Sequence, residues 1–231
     1  MMTTINVSDG KKIHSQRNNE LLPIATCNTT SMIMMLKYSG VDVAKKLSYE
    51  WTQLEDSLTS FTQTNAEVDA FYGRLDAANH KKWKAKDPKA IPPNQYHAVL
   101  NFATNLWLGY RPDTITSFTT GRSIQTILFD LLQGKASVVS GVFAKLRHVV
   151  CVVGFNSIQM DMEKISNPAD ITLADVSHVL IDDPYGDYRT NYKDHNGDDI
   201  KIPLDEFIKL TNSSGSATQK WCHFIRGDKR G

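Results

Sequence analysis

Cysteine is scarce in this chain. Its 231 residues hold three, Cys27, Cys151 and Cys222. That is an odd number with no C-x-x-C pair, which argues against a disulfide framework and against a structural zinc site. Long apolar runs are missing too, since no stretch approaches the roughly 18 residues that cross a bilayer. The opening residues, Met1 to Gly10, have no apolar h-region, so no secretory signal is expected and the chain is expected to be cytoplasmic when made. Neither charge is in surplus: 26 Lys and Arg stand against 25 Asp and Glu. That balance makes no electrostatic case for nucleic acid or an anionic membrane. The most basic stretch, His80 to Lys86, reads as a solvated helix end or loop. There is no H-E-x-x-H, and Asp194-His195-Asn196-Gly197-Asp198-Asp199 lacks the full EF-hand spacing. That run reads as a polar hairpin turn, a calcium site being its lesser alternative, and no other metal or cofactor is expected.

What is present is an ordinary globular composition, with 41% hydrophobic and 22% charged residues, enough for a sizeable core. Residues 1–26 read as an irregular lead-in. Thr26 is placed to cap a helix from about Cys27 to Ser39 that ends at Gly40, with Met32, Met35, Leu36 and Ser39 at helical spacing on its buried side. Residues 41–110 read as helical in four pieces, 43–47, 49–61, 66–78 and 96–108, with breaks at the Lys-rich segment and at Ala90 to Asn94. Three of the four tryptophans, Trp51, Trp83 and Trp107, fall here and fit amphipathic helix core better than a groove. A helix over 123–133 follows, closed by Gly134. Strand-like runs come next at 136–143, 148–155, 179–181, 200–202 and 220–226, with an insertion at 157–178. A short helix over 204–210 and a flexible turn at Asn212 to Ser216 complete the chain. Helices first and strands later indicate an α+β fold. One domain over 1–231 is expected, a mainly helical lobe (1–134) against a sheet lobe (135–231).

Within that order three residues suit nucleophilic chemistry. Cys27 starts a helix, where unpaired backbone N–H groups favour the thiolate that attack on a carbonyl requires. His148 heads the run Val149-Val150-Cys151-Val152-Val153 and would take up the thiol proton. Asp183 closes Leu180-Ile181-Asp182-Asp183 just ahead of Pro184 and would fix the imidazole tautomer. Asp182 competes for that role, because a one-residue change of register flips which acid faces the histidine. The bland alternatives are a buried structural cysteine, a surface histidine at a strand end and a plain β-turn at 182–186. Cys151 and Cys222 lie inside apolar strands and read as small core residues. For an oxyanion hole the Cys27 N–H is one donor. The second would be an amide side chain shortly before it, of which Gln16-Arg17-Asn18-Asn19 holds three.

These residues resemble a known family. Gln16-Arg17-Asn18-Asn19, Pro23 and Thr26-Cys27-Asn28-Thr29-Thr30-Ser31 through Gly40 are similar to the N-terminal motif of the C39-like peptidases, closest to versions carried by bacteriophages and bacteria. Gly134 to Val139, His148 to Phe155, Ile181 to Gly186, Asn196 to Phe207 and the Trp221 strand resemble that family's later blocks. The helical stretch 41–110 has no clear counterpart. The resemblance implies a papain-like fold with its catalytic helix packed on an antiparallel sheet, Cys27 as nucleophile, His148 as base and Asp183 as orienter. It departs at one point: the family glutamine expected six residues before the cysteine is Leu21 here. Gln16, or next Asn19, would have to take that place by another loop path. The implied activity is a cysteine peptidase or amidase. Its first expected substrate is a peptidoglycan stem or cross-link peptide, cut by a phage endolysin or virion-associated lysin that acts on the wall after release. A processing peptidase and an inactive binding module on the same scaffold are the alternatives.

Overall fold

Residues 3–47, 50–212 and 219–226 are described by this computed structural model, and among them the chain forms seven strands and seven α-helices. In chain order these are β1 (Thr3–Asn6), α1 (Cys27–Tyr38), α2 (Leu54–Thr64), α3 (Ala66–Leu75), α4 (Ala77–Lys84) and α5 (His97–Leu108). Then come β2 (Thr116–Ser123), α6 (Ile124–Leu132), β3 (Ser137–Phe143), β4 (Leu146–Ser157), β5 (Val176–Asp182), β6 (Ile200–Pro203), α7 (Leu204–Leu210) and β7 (Gln219–Ile225).

One antiparallel sheet holds all seven strands in the order β2-β7-β3-β4-β5-β6, and β1 also pairs with β4. Strand β3 pairs with β4 up to Val152, and β1 takes over from Gly154 to Ser157. Gly154 is required there, because a Cβ on it would stand 2.1 Å from the Ile5 carbonyl oxygen.

Strand β4 organises the core, since it is buried on both faces from His148 onward. Val149, Cys151 and Val153 face a cluster built around α1, while Val150, Val152 and Phe155 face a second cluster built from α6, Phe207 of α7 and Ile171 of the 157–178 insertion. The sheet is therefore covered on both sides, which explains why its central strand reads as continuous apolar sequence rather than alternation. Cys151 and Cys222 are fully buried, one in each cluster. Helix α1 is buried all round, and only Lys37 among residues 28–38 is exposed. Burying Met32, Met35 and Leu36 contributes about 1.5–3 kcal/mol each.

Several expected boundaries move for identifiable reasons. Two strands lie where none was expected. Thr3–Asn6 and Thr116–Ser123 are polar segments that become strands by pairing with β4 and β7, so strand is not confined to residues after 134. Residues 44–46 make only a 3₁₀ turn. The helix expected from 49 starts at Leu54, with Ser48 and Tyr49 outside the described residues. The helix expected over 66–78 stops at Leu75, because Asp76 turns out of helical geometry and its carboxylate caps Asn79 of α4. The Lys-rich segment is no break: Lys81, Lys82 and Lys84 occupy the last turn of α4, where the helix dipole favours cations. Trp107 is core, whereas Trp51 and Trp83 are half-buried. The turn expected at 212–216 lies, from Ser213 on, outside the described residues.

Candidate active site

Cys27 is the first residue of α1, so its backbone N–H has no acceptor within the helix. Thr26 occupies the cap position, but its hydroxyl caps nothing: it donates to the Leu22 carbonyl and accepts from the Asn19 amide. The Cys27 side chain is half-buried, unlike the other two thiols. One turn further along, the Ser31 hydroxyl donates to the carbonyl of Val149 at 3.0 Å. That bond, with the apolar packing of α1 on β4, holds the helix start against the strand start, so that Cys27 and His148 line the same cleft.

The His148 imidazole is 8% exposed, and its Nε2 lies 2.6 Å from Oδ1 of Asp183. Burial alone would lower its pKa. The Cys27 sulfur and the Asp183 carboxylate, the latter hydrogen-bonded to the ring, outweigh that and raise it to about 10. Since Nε2 belongs to Asp183, the nitrogen left for the sulfur is Nδ1. Phe143 and Tyr192 meet the ring edge-on, with centroids 6.1 and 5.8 Å away.

Asp183 follows the last residue of β5, and its own backbone holds it. Its N–H donates to the Gly197 carbonyl at 2.9 Å, and its Oδ1 also accepts the Tyr185 N–H at 2.8 Å. Gly197 packs so tightly on it that a Cβ there would stand 2.0 Å from the Asp183 carbonyl oxygen. Asp182 points elsewhere. It is still in register with Cys151, accepts the Asp199 N–H at 3.0 Å and sits beside the Tyr38 hydroxyl. Burial pushes its pKa up to about 7. Of the two candidate acids, Asp183 is the one brought to the imidazole.

The lead-in is clamped rather than loose. Gln16 N–H donates to the Pro184 carbonyl at 2.9 Å, and Arg17 donates to the carbonyls of Tyr185 and Tyr192 while stacking 3.8 Å from the Tyr185 ring. Asp56, at the start of α2, accepts the N–H groups of Glu20 and Leu21. Gln16 is consequently buried beside Cys27. Its Nε2 donates to Pro23 O at 2.8 Å, and its Oε1 has no partner among the described residues. Asn19 instead turns to α1, donating to the hydroxyls of Thr26 and Thr30 at 2.9 and 3.1 Å. Leu21 lines no part of the cleft.

Two grooves meet at Cys27. One, of about 320 Å³, is walled by Gln95, His97, Trp221 and Arg147. The other, of about 300 Å³, is walled by Gln16, Leu146, Tyr185 and Tyr192, again with Arg147. Ile24, 84% exposed, and Leu146, 56% exposed, form an apolar lip. Sequence reasoning did not find Arg147, His97 or Trp221. The only signal was the adjacency of Arg147 to His148, and the path of β7 that delivers Trp221 is purely tertiary.

Among the described residues one group could hold a metal ion: Asp182, Asp198 and Asp199 present ligand oxygens within 4.8 Å of one another. Asp199 already accepts from the Asn6 amide through both oxygens. None of the three lines the grooves at Cys27. Also among the described residues, no helix is long and apolar enough to cross a membrane.

Comparison with known proteins agrees with this architecture. The model of the Peptidase_C39 like family matches residues 10–201. The crystal structure of a candidate C39-like peptidase from Bacillus anthracis superimposes with a TM-score of 0.53 at 16% identity, covering 99% of this chain and 100% of that one. At that identity the likeness concerns the fold. No curated protein matches the chain.

Proposed function

The chain belongs to the Peptidase_C39 like family, and from that premise we propose that it is a cysteine peptidase with Cys27 as nucleophile, His148 as acid–base and Asp183 as orienter. The observation that carries this reading is the 2.6 Å contact between His148 and Asp183 beside a half-exposed thiol at a helix start. The sulfur attacks the substrate carbonyl carbon. The C–N bond then breaks as His148 gives its Nδ1 proton to the leaving amine, which leaves a thioester. Water loses a proton to the same imidazole, attacks the thioester and releases the acid. Asp183 holds the ring in the required tautomer and stabilises the imidazolium.

For the oxyanion we assign the Cys27 N–H and the second amide hydrogen of Gln16 Nε2. The position of Gln16 beside Cys27 favours it over Asn19, whose amide is occupied by α1. This assignment also offsets the Leu21 departure that motivates an inactive scaffold.

We place the substrate among peptidoglycan stem or cross-link peptides and the protein among phage endolysins or virion-associated lysins, on the strength of the phage-borne motifs it resembles. Purified wall sacculi test this. The wild type should release soluble stem peptides, and Cys27→Ala, folded by circular dichroism, should release none. Cleavage of protein substrates with sacculi left intact would move the reading to a processing peptidase. Undiminished lysis by Cys27→Ala would refute the nucleophile.

A further inference from the structure

Among the described residues Arg147 is the one besides Cys27, Ile24 and His148 that lines both grooves at the sulfur. It stands there because of a two-residue hairpin. Phe143 pairs with Leu146, so the loop is Ala144-Lys145, both at positive φ (44° and 67°). This tight turn lifts Leu146 and Arg147 to the cleft rim and leaves both exposed.

The charge around it is one-sided. Among the described residues neither groove is lined by an Asp or Glu, and Arg147 makes no ion pair. The other walls able to carry positive charge are His148, whose proton is committed to the reaction, and His97, whose pKa burial lowers to about 4. A guanidinium without a carboxylate partner, over a cleft without carboxylates, matches a planar anion supplied by the ligand.

We propose that Arg147 is a specificity residue that binds a carboxylate of the substrate next to the scissile bond. The preferred substrates are then peptides carrying an acidic side chain or a free α-carboxylate at that point. The inference rests on the cysteine peptidase reading and narrows its substrate class.

The test uses two alkylating reagents of nearly equal size, anionic iodoacetate and neutral iodoacetamide. In each, the Cys27 sulfur displaces iodide from the CH₂ carbon, and mass spectrometry assigns the adduct, Cys151 and Cys222 being buried. The ratio of the iodoacetate rate to the iodoacetamide rate cancels any general change in thiol reactivity, and the attraction of the His148 imidazolium for the anionic reagent, common to wild type and variants, drops out when their ratios are compared. It should fall roughly fivefold in Arg147→Met. It should fall by less in Arg147→Lys, which keeps the charge but loses the planar fork, and stay near the wild-type value in Lys145→Met, which alters an exposed cation outside the grooves. An unchanged ratio in Arg147→Met, or an equal fall in Lys145→Met, would overturn the proposal.

A second arm separates the sources of the carboxylate by protection against iodoacetamide. N-acetyl-Ala-Glu-amide against N-acetyl-Ala-Gln-amide reports a side-chain carboxylate, and N-acetyl-Ala-Ala acid against its amide reports a terminal one. At least one acidic member should protect at several-fold lower concentration than its neutral twin, and should lose that advantage in Arg147→Met. Equal protection within both pairs contradicts the proposal. Failure of either reagent to label Cys27 would instead refute the nucleophile assignment, and this inference with it.

Discussion

The hydroxyl of Ser31 donates to the carbonyl of Val149 at 3.0 Å, joining the residue one turn past Cys27 to the residue just after His148. Both groups are buried. Cys27 and His148, the proposed nucleophile and base, come from segments 121 positions apart in sequence, and this bond ties those two segments together. Ser31→Ala should cost about 1–2 kcal/mol of stability, because it strands a buried carbonyl. It should also lower kcat roughly tenfold with little change in KM, since the reacting pair loses alignment. Thermal unfolding and steady-state kinetics on a released peptide check both. A stability loss with kcat intact would mean that other packing sets the pair.

Gln16 and Asn19 should separate cleanly. Gln16→Ala removes the proposed oxyanion donor and should lower kcat roughly 100-fold or more while the fold persists. Asn19→Ala removes two buried hydrogen bonds to Thr26 and Thr30. It should cost about 1–3 kcal/mol in stability with less than a tenfold fall in kcat. The reverse pattern, read from the same two assays, would exchange their roles.

Asp182 supplies a pH signature separate from catalysis. Its folded-state pKa is raised to about 7 by burial, with Asp198 and Asp199 adding to the effect. The folded protein therefore holds a proton on this carboxyl that the unfolded chain gives up near pH 4. This favours the fold at low pH and is lost as pH rises through 7. Asp182→Asn keeps an acceptor for the Asp199 N–H and removes the charge. Its stability gain over wild type should grow from pH 5 to pH 8, by on the order of 2–4 kcal/mol. Denaturant unfolding at the two pH values measures it, and a gain independent of pH would show that burial does not strain this acid.

Much of this arrangement is legible from residue patterns, and what is not has a physical reason. The start of α1 at Cys27, the entry of His148 into β4 and the acid beyond β5 follow from apolar runs and their punctuation. Strands β1 and β2 leave no such trace. Thr3 to Asn6 and the polar Thr116 to Ser123 carry weak patterns, and only their partners, β4 and β7, make them strands. The choice between Asp182 and Asp183 turns on where β5 ends, which pattern alone leaves one residue uncertain. Gln16 comes to line the groove at Cys27 because Pro184, Tyr185 and Tyr192 hold the lead-in in place. No count of residues back from the cysteine reveals that path, and a fixed spacing points to Leu21.

The most direct measurement of the central claim, that the sulfur of Cys27 and the imidazole of His148 act as one unit oriented by Asp183, is an NMR titration of the ring in wild type and Cys27→Ala. In the wild type the ring should keep its proton until about pH 10. In the variant, with only the Asp183 carboxylate left to hold the charge, the midpoint should drop by a unit or more. The same midpoint in both proteins would contradict the account.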